Sequence, residues 1–456
     1  MNSIINQINN YIWGKPMIII LLSIHILMTL KTHAVQRRTF KAIKLSVSEN
    51  NSESGDISPF QALTTSLAST IGTGNIIGLG TAIALGGAGA VFWCWITGIL
   101  GIATKYAESL LAIKYRTKNT YGTVCAGAMY VLENRLKLKG AAVMFAICAM
   151  ISSISIGCGV QVNAISETIS NTIPNNNYHV KIFGINLPAV PLFTGLILSI
   201  IVCTVIFGGL NSVSKLCEKL VPFMSGVYIL GSFYILIYNA DVIPETITLI
   251  VKSAFTKTSA AGGLAGYSVG AAVRFGVSRG LFSNESGTGT SPIIAAAAKC
   301  SNPVRQALIS STGTFWDTVV LCLLTGLVIV SSIIKNDSIN LNKISGSELT
   351  KSVFMQIPYI GKPLLIFSLI TFALSTILGC SYYGERCAEY LFGTKSIPLF
   401  RVCYVLMTIA APVISLETIW NMADILNALM ALPNLTALLL LRNEIRTDTL
   451  SAELQQ

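Results

Sequence analysis

Ser69-Thr70-Ile71-Gly72-Thr73-Gly74-Asn75 stands inside an apolar run from about Phe60 to Gly80, long enough to cross a membrane as one helix. Small polar residues and two glycines in its middle predict that the helix is interrupted there. Backbone released from helical pairing in hydrocarbon costs on the order of several kcal/mol per unpaired group, so it persists only when buried in protein or lining a polar cavity. The stretch therefore predicts a binding site at membrane depth.

The rest of the chain agrees with a bilayer setting. Its 456 residues are 52% hydrophobic and 11% charged, with a mean hydropathy of +0.67, which excludes a soluble globular protein of this length. The net charge of +11 is carried by Lys and Arg in short loops between apolar runs rather than on one basic face, which excludes a nucleic-acid partner. Eleven apolar segments are expected, at 15–33, 58–80, 86–113, 141–170, 188–208, 220–240, 262–282, 307–334, 361–382, 398–416 and 419–441. Arg37, Arg38, Lys41 and Lys44 follow the first segment, and Lys114, Arg116, Lys118, Arg135, Lys137 and Lys139 follow the third. Both loops are expected in the cytoplasm, with the N-terminus outside and the C-terminus inside. The first segment lacks a basic lead-in and a small-residue cleavage pattern, so it reads as a helix and not a signal peptide. The eleven cysteines form no Cys-x-x-Cys pair and read as packing residues.

Without the first segment, covering 1–35, ten remain. They divide into halves of five, 58–240 and 262–441, followed by a cytoplasmic tail at 442–456. An odd number per half makes the halves enter from opposite sides, as in an inverted repeat. The first helix of each half is glycine-rich: the 58–80 segment, and 262–282 with Gly262-Gly263-Leu264-Ala265-Gly266 and Gly270. Paired interruptions point to a midplane site, although small residues also serve close helix packing. Gly72-x-Gly74-x-x-x-Gly78 is no dinucleotide fingerprint, because its spacing is wrong and no strand precedes it. Ser58-Pro59-Phe60-Gln61 supplies an N-cap serine, a proline at the first helical position and a capping-box glutamine.

A helix broken at Gly72–Asn75 offers unpaired carbonyls from one half and unpaired amides from the other. Carbonyl oxygens suit Na⁺, and a helix N-terminus suits a carboxylate. The carbonyls of Ala68 and Ile71 are thus expected to face a cation, and the amides around Thr73, Gly74 and Asn75 a small zwitterion or carboxylate. Thr73 and Asn75 side chains would add donors. Hard oxygen ligands come next from Thr371, Ser375 and Thr376, the last two being the better candidates, though such hydroxyls also bond back to their own helix. Gln161 and Asn163 are amides in an apolar helix, placed for substrate contact or for interhelical bonding. Lys105, Glu108, Glu167, Arg274, Glu285 and Asp424 lie near expected helix ends, where snorkelling or capping suffices. Asp317 alone falls deep, which leaves proton coupling as the alternative to Na⁺.

Longer motifs carry a resemblance. Gly72-Thr73-Gly74-Asn75-Ile76-Ile77-Gly78, Gly86-Gly87-Ala88-Gly89-Ala90-Val91-Phe92-Trp93, Lys105-Tyr106-Ala107-Glu108 and Arg279-Gly280-Leu281-Phe282-Ser283-Asn284-Glu285 closely resemble the alanine/glycine:cation symporter family, also called the sodium:alanine symporters. So do Ser375-Thr376-Ile377-Leu378-Gly379 and Tyr382-Tyr383-Gly384-Glu385-Arg386. The resemblance implies an all-α, LeuT-type 5+5 inverted repeat with one extra N-terminal transmembrane helix, about eleven in all. It further implies symport of a small neutral amino acid by alternating access in a bacterial or archaeal cytoplasmic membrane. The coupling ion would be Na⁺, with no organic cofactor, and a monomer is expected. It puts the substrate near Thr73, Gly74, Asn75 and Gln161, and Na⁺ among Ala68, Ile71, Ser375 and Thr376. The chain departs from the family where Cys380 replaces a usual Trp and Leu264 a usual aromatic. Both losses would enlarge the pocket, so a larger neutral amino acid such as glutamine is expected in place of alanine and glycine as the preferred substrate, or else broader acceptance. No Ser/His/Asp set, HExxH motif or paired carboxylates point to an enzyme, and a channel would need a continuous polar pore.

Overall fold

The computed structural model describes residues 14–48, 55–173, 178–182, 185–256, 268–336, 346–355, 357–414 and 416–453. The apolar runs fold as helices because a helix pairs every backbone group within its own segment, and the chain is 83% helical. The helices are α1 Lys15–Lys31, α2 Thr39–Ser46, α3 Pro59–Thr70, α4 Leu79–Gly86, α5 Gly89–Lys114, α6 Lys139–Ser152, α7 Gln161–Ser170, α8 Ala189–Ile206, α9 Gly209–Tyr238 and α10 Ile243–Phe255. They continue as α11 Val269–Asn284, α12 Ser291–Ala295, α13 Pro303–Thr314, α14 Leu323–Lys335, α15 Gly346–Met355, α16 Gly361–Phe392, α17 Ile397–Ala410, α18 Leu416–Leu440 and α19 Arg442–Glu453. Wide π turns at Ser153–Val160 and Phe315–Cys322 join α6 to α7 and α13 to α14 into continuous rods.

Seven helices are long and apolar enough to cross a membrane, or ten when each of three sharply bent pairs counts as one span. The eleven expected segments are not reached among the described residues. Most of the missing one lies in α11, which is 16 residues long and starts at Val269. Gly262, Gly263 and Gly266 of the second expected interruption, together with Leu264, fall outside the described residues, whereas Gly270 lies in the first turn of α11. The 361–382 segment also runs ten residues further, to Phe392. Its extension carries Arg386, expected in a loop but 6% exposed. Arg386 is held there by Glu385 at 2.7 Å and Glu389 at 2.6 Å, which together neutralise it.

The outer face is apolar: Ile197 and Ile200 on α8 and Leu230 and Ile237 on α9 are each more than half exposed. That is the reverse of a water-soluble surface and suits contact with acyl chains. Inside, α11 packs closely on α5 because small residues let the backbones approach. A Cβ at Gly276 would lie 2.5 Å from the Ala90 carbonyl oxygen. These contacts hold α11 and α5 beside the broken helix.

Candidate functional site

Ser58 and Gln61 cap α3 as expected: the serine hydroxyl accepts from the Gln61 amide at 3.1 Å, and the Gln61 side chain returns the bond to the Ser58 amide at 3.1 Å. The helix stops at Thr70. Ile71 is extended, with ψ 94°, and a π turn over Gly74–Gly78 leads into α4. The two halves are inclined by 51°. β-Branched Thr70 and Ile71 next to Gly72 and Gly74 make this the weakest point of the run for helix. The Gly72 amide, which a continuous helix would donate to Ala68, donates instead to Asn75 Oδ1 at 2.9 Å, and the Asn75 amide donates to the Gly72 carbonyl at 3.2 Å.

α16 crosses the break at Gly379, where a Cβ would lie 2.5 Å from the Ser69 nitrogen and 3.0 Å from the Ala68 carbonyl carbon. Only glycine permits that approach. It brings the Thr376 hydroxyl to 3.1 Å and the Ser375 hydroxyl to 3.4 Å from the Ile71 carbonyl oxygen. Both hydroxyls also reach Phe372, on their own helix. Oxygens about 3 Å apart on two elements match the spacing of ligands around one small hard cation at roughly 2.4 Å. Ala68 is fully buried beside them. Cys380, one turn beyond Thr376, lies on the same face, with its sulfur 3.7 Å from the Ser69 carbonyl. It also packs on Gly157, where any Cβ would strike it.

On the amide side, Gln161 begins α7 and turns its Oε1 to the Thr73 amide at 3.2 Å and the Thr73 hydroxyl at 3.0 Å. The freed N-terminal amide thus faces a polar oxygen. Gly74 leaves room for Phe282 of α11, whose ring edge would lie 2.9 Å from a Cβ there. Asn75 points elsewhere. Its Nδ2 donates to Asp317 Oδ1 at 2.7 Å and to the Ser283 hydroxyl at 3.0 Å, tying the break to α11 and to the α13–α14 rod. Asn163 bonds the Ala411 and Ile414 carbonyls at 3.2 and 2.9 Å, the interhelical role of the two considered.

The buried charges are deeper than hydropathy suggested. Asp317 is 0% exposed and accepts from Asn75, Ser283 and Thr318, each at 2.7 Å. Lys105 and Glu108 do not snorkel but are 1% and 3% exposed. The cause is the segment around α12, which covers them: the Gly287 amide donates to Glu108 Oε1 at 2.7 Å, and Asn434 joins them at 2.5 Å. Glu167 pairs with Lys351 at 2.9 Å. A cavity of about 750 Å³ is lined by Asp56, Lys299, Tyr382, Glu385 and Arg401 among others. No cluster of three His, Cys, Asp or Glu able to hold a metal occurs among the described residues.

The sequence profile of the sodium:alanine symporter family matches residues 1–452. The chain is similar to the sodium/alanine symporter AgcS of Methanococcus maripaludis, 43% identical over 98% of this chain and 96% of that one. It is 34% identical to a Bacillus subtilis protein named "Probable sodium/glutamine symporter GlnT", over 98% of this chain and 90% of the relative. Among solved structures, the fold is similar to MhsT in complex with L-phenylalanine, with a TM-score of 0.60 at 14% identity over 85% of this chain and 89% of that one. A Na⁺-coupled sialic acid symporter in a substrate-bound outward-open state follows, at 0.50 and 14% over 92% of this chain and 82% of that one. The architecture is therefore LeuT-type. With a profile match over nearly its whole length and this transporter fold, the chain belongs to the sodium:alanine symporter family, as a multi-pass membrane protein that performs secondary active, Na⁺-coupled amino-acid symport and is not an enzyme.

Proposed function

We propose that the protein couples Na⁺ to the inward movement of a small neutral amino acid, with alanine at the head of its substrates and glutamine also accepted. The observation that carries this is the meeting of the Ile71 carbonyl with Ser375 and Thr376 at 3.4 and 3.1 Å. Na⁺ takes that oxygen set together with Ala68, and the ion's charge holds the frayed C-terminus of α3 in place. The substrate carboxylate sits at the Thr73 and Gly74 amides, displacing the Gln161 oxygen, which then turns to the ammonium or side chain. Only Gly72 separates the carbonyl that faces the ion from the amides that face the substrate, so each ligand organises the other's site, which is the source of coupling. The two five-helix halves rock around the site with the N-terminus outside and the C-terminus in the cytoplasm, and the 750 Å³ cavity is the exit. Cys380 leaves more side-chain room than a Trp, which favours acceptance of glutamine. Relatives named for alanine and for glutamine support that range.

Counterflow in proteoliposomes tests the reading. Labelled alanine should exchange with unlabelled alanine and glutamine only when Na⁺ is present, and Ser375→Ala should raise the Na⁺ concentration for half-maximal rate about tenfold with little change in maximal rate. Unchanged Na⁺ dependence in Ser375→Ala removes that oxygen from the ion site, and exchange driven by a proton gradient without Na⁺ refutes Na⁺ coupling.

A further inference from the structure

A separate crevice of about 310 Å³ opens beside the broken helix, between α2, α3, α9 and the Phe315–Cys322 turn. Its wall is largely apolar, formed by Ile43, Phe60, Leu67, Ile71, Pro222 and Trp316. Gly226 also borders it, and a Cβ there would meet nothing within 4 Å. The space is lined mainly by hydrocarbon, as an acyl chain requires.

Helices α2 and α9, which flank it, carry four lysines. Lys215 and Lys219 lie on the face of α9 that carries Pro222, Gly226 and Ile229, at spacings of four, three, four and three residues, and both are exposed. On the other flank, α2 packs on α13 and lines the crevice with Ile43 and Ser46, followed by Val47 just past its end. Lys41 and Lys44 of the same helix are exposed. Phe40, 77% exposed, meets the Phe315 ring edge-on at 6.1 Å, and Phe315 meets Trp316 at 5.4 Å. An exposed aromatic beside lysines on a short amphipathic helix marks the headgroup level of a bilayer. Along the crevice, the hydroxyl of Ser225 is buried with no hydrogen-bond partner, a donor suited to an ester carbonyl.

We propose that this is a binding site for an anionic phospholipid of the cytoplasmic leaflet, with one acyl chain in the crevice against Ile71 and the phosphate between Lys41/Lys44 and Lys215/Lys219. The lysines supply charge complementarity, which a zwitterionic headgroup would not use.

Delipidated full-length protein, titrated in detergent with phosphatidylglycerol or with phosphatidylcholine of the same chains and read by native mass spectrometry, tests the headgroup. A phosphatidylglycerol with a photoreactive acyl chain, mapped by peptide sequencing, tests the crevice. Phosphatidylglycerol should be retained at least tenfold more tightly. Replacing either lysine pair, Lys41→Gln with Lys44→Gln or Lys215→Gln with Lys219→Gln, should cost roughly twenty-fivefold in its affinity, each lysine near an anionic surface being worth roughly fivefold. Gly226→Phe, which fills open space, should abolish labelling of α3 and α9 while the protein remains monodisperse. Equal retention of the two lipids overturns the proposal, as does labelling that persists in Gly226→Phe. Absence of crevice labelling in the unmodified protein overturns it as well.

Discussion

At the scale of single residues, the site depends on a missing side chain. Gly379 allows α16 to touch the backbone of α3, and the three atoms a methyl would meet, the Ser69 nitrogen at 2.5 Å, the Ser69 Cα at 2.9 Å and the Ala68 carbonyl carbon at 3.0 Å, belong to main chain that cannot rotate away. Gly379→Ala should therefore push the Ser375 and Thr376 hydroxyls off Ile71, abolish Na⁺-dependent uptake and cost about 1–3 kcal/mol of stability. Gly140→Ala, where a Cβ meets nothing within 4 Å, is the matched control and should transport normally. Uptake at normal levels in Gly379→Ala, measured in proteoliposomes at equal protein, would contradict this account. Glycine here was visible in the sequence, but its reason was not, since Ser69 is 310 positions away. What local pattern did reveal was the facing of Thr376 and Cys380, because one helical turn separates them, and the polar Gln161 in an apolar helix.

At the scale of elements, the break and its cap were legible because both are written in adjacent residues: a serine, proline and glutamine at the start of α3, and glycines with β-branched neighbours at its end. Gln61 does a second job that no local pattern encodes. Its Nε2 donates to Glu218 Oε2 of α9 at 2.9 Å, so the residue that caps α3 also ties it sideways. Ser58→Ala should lower stability by about 1 kcal/mol, the worth of one N-cap. Gln61→Ala, which removes both the cap and the tie, should lower it by about 2 kcal/mol, a difference that denaturant titration in detergent can resolve. The burial of Lys105 and Glu108 escaped the sequence for a related reason. Hydropathy places them near a helix end, and only the return of the Ser286–Ala298 segment across them makes that end interior. Glu444, on α19, shows the opposite outcome. Burial alone would raise its pKa, but hydrogen bonds from Lys114, Tyr115 and Arg135 more than offset this and hold it below the usual carboxylate value.

At the scale of the molecule, a cation held as proposed by Ile71, Ser375 and Thr376 would add a bridge between α3 and α16 to their close packing at Gly379. Na⁺ should accordingly stabilise the folded state by mass action, by about 2.7 kcal/mol at one hundred times its Kd, seen as a rise in Tm that choline at equal ionic strength does not reproduce. Identical Tm values in Na⁺ and choline would place the ion elsewhere. The position of the break has one more consequence. Thr70 and Gly74 stand near the centre of the bent Pro59–Gly86 pair, so an ion held there has already crossed part of the membrane's electric field. An amino-acid zwitterion carries no net charge, so each Na⁺ delivered with it moves one positive charge inward. A voltage of 100 mV, negative inside, then adds about 2.3 kcal/mol of driving force per ion, so that uptake draws on the cell's voltage as well as on its salt gradient.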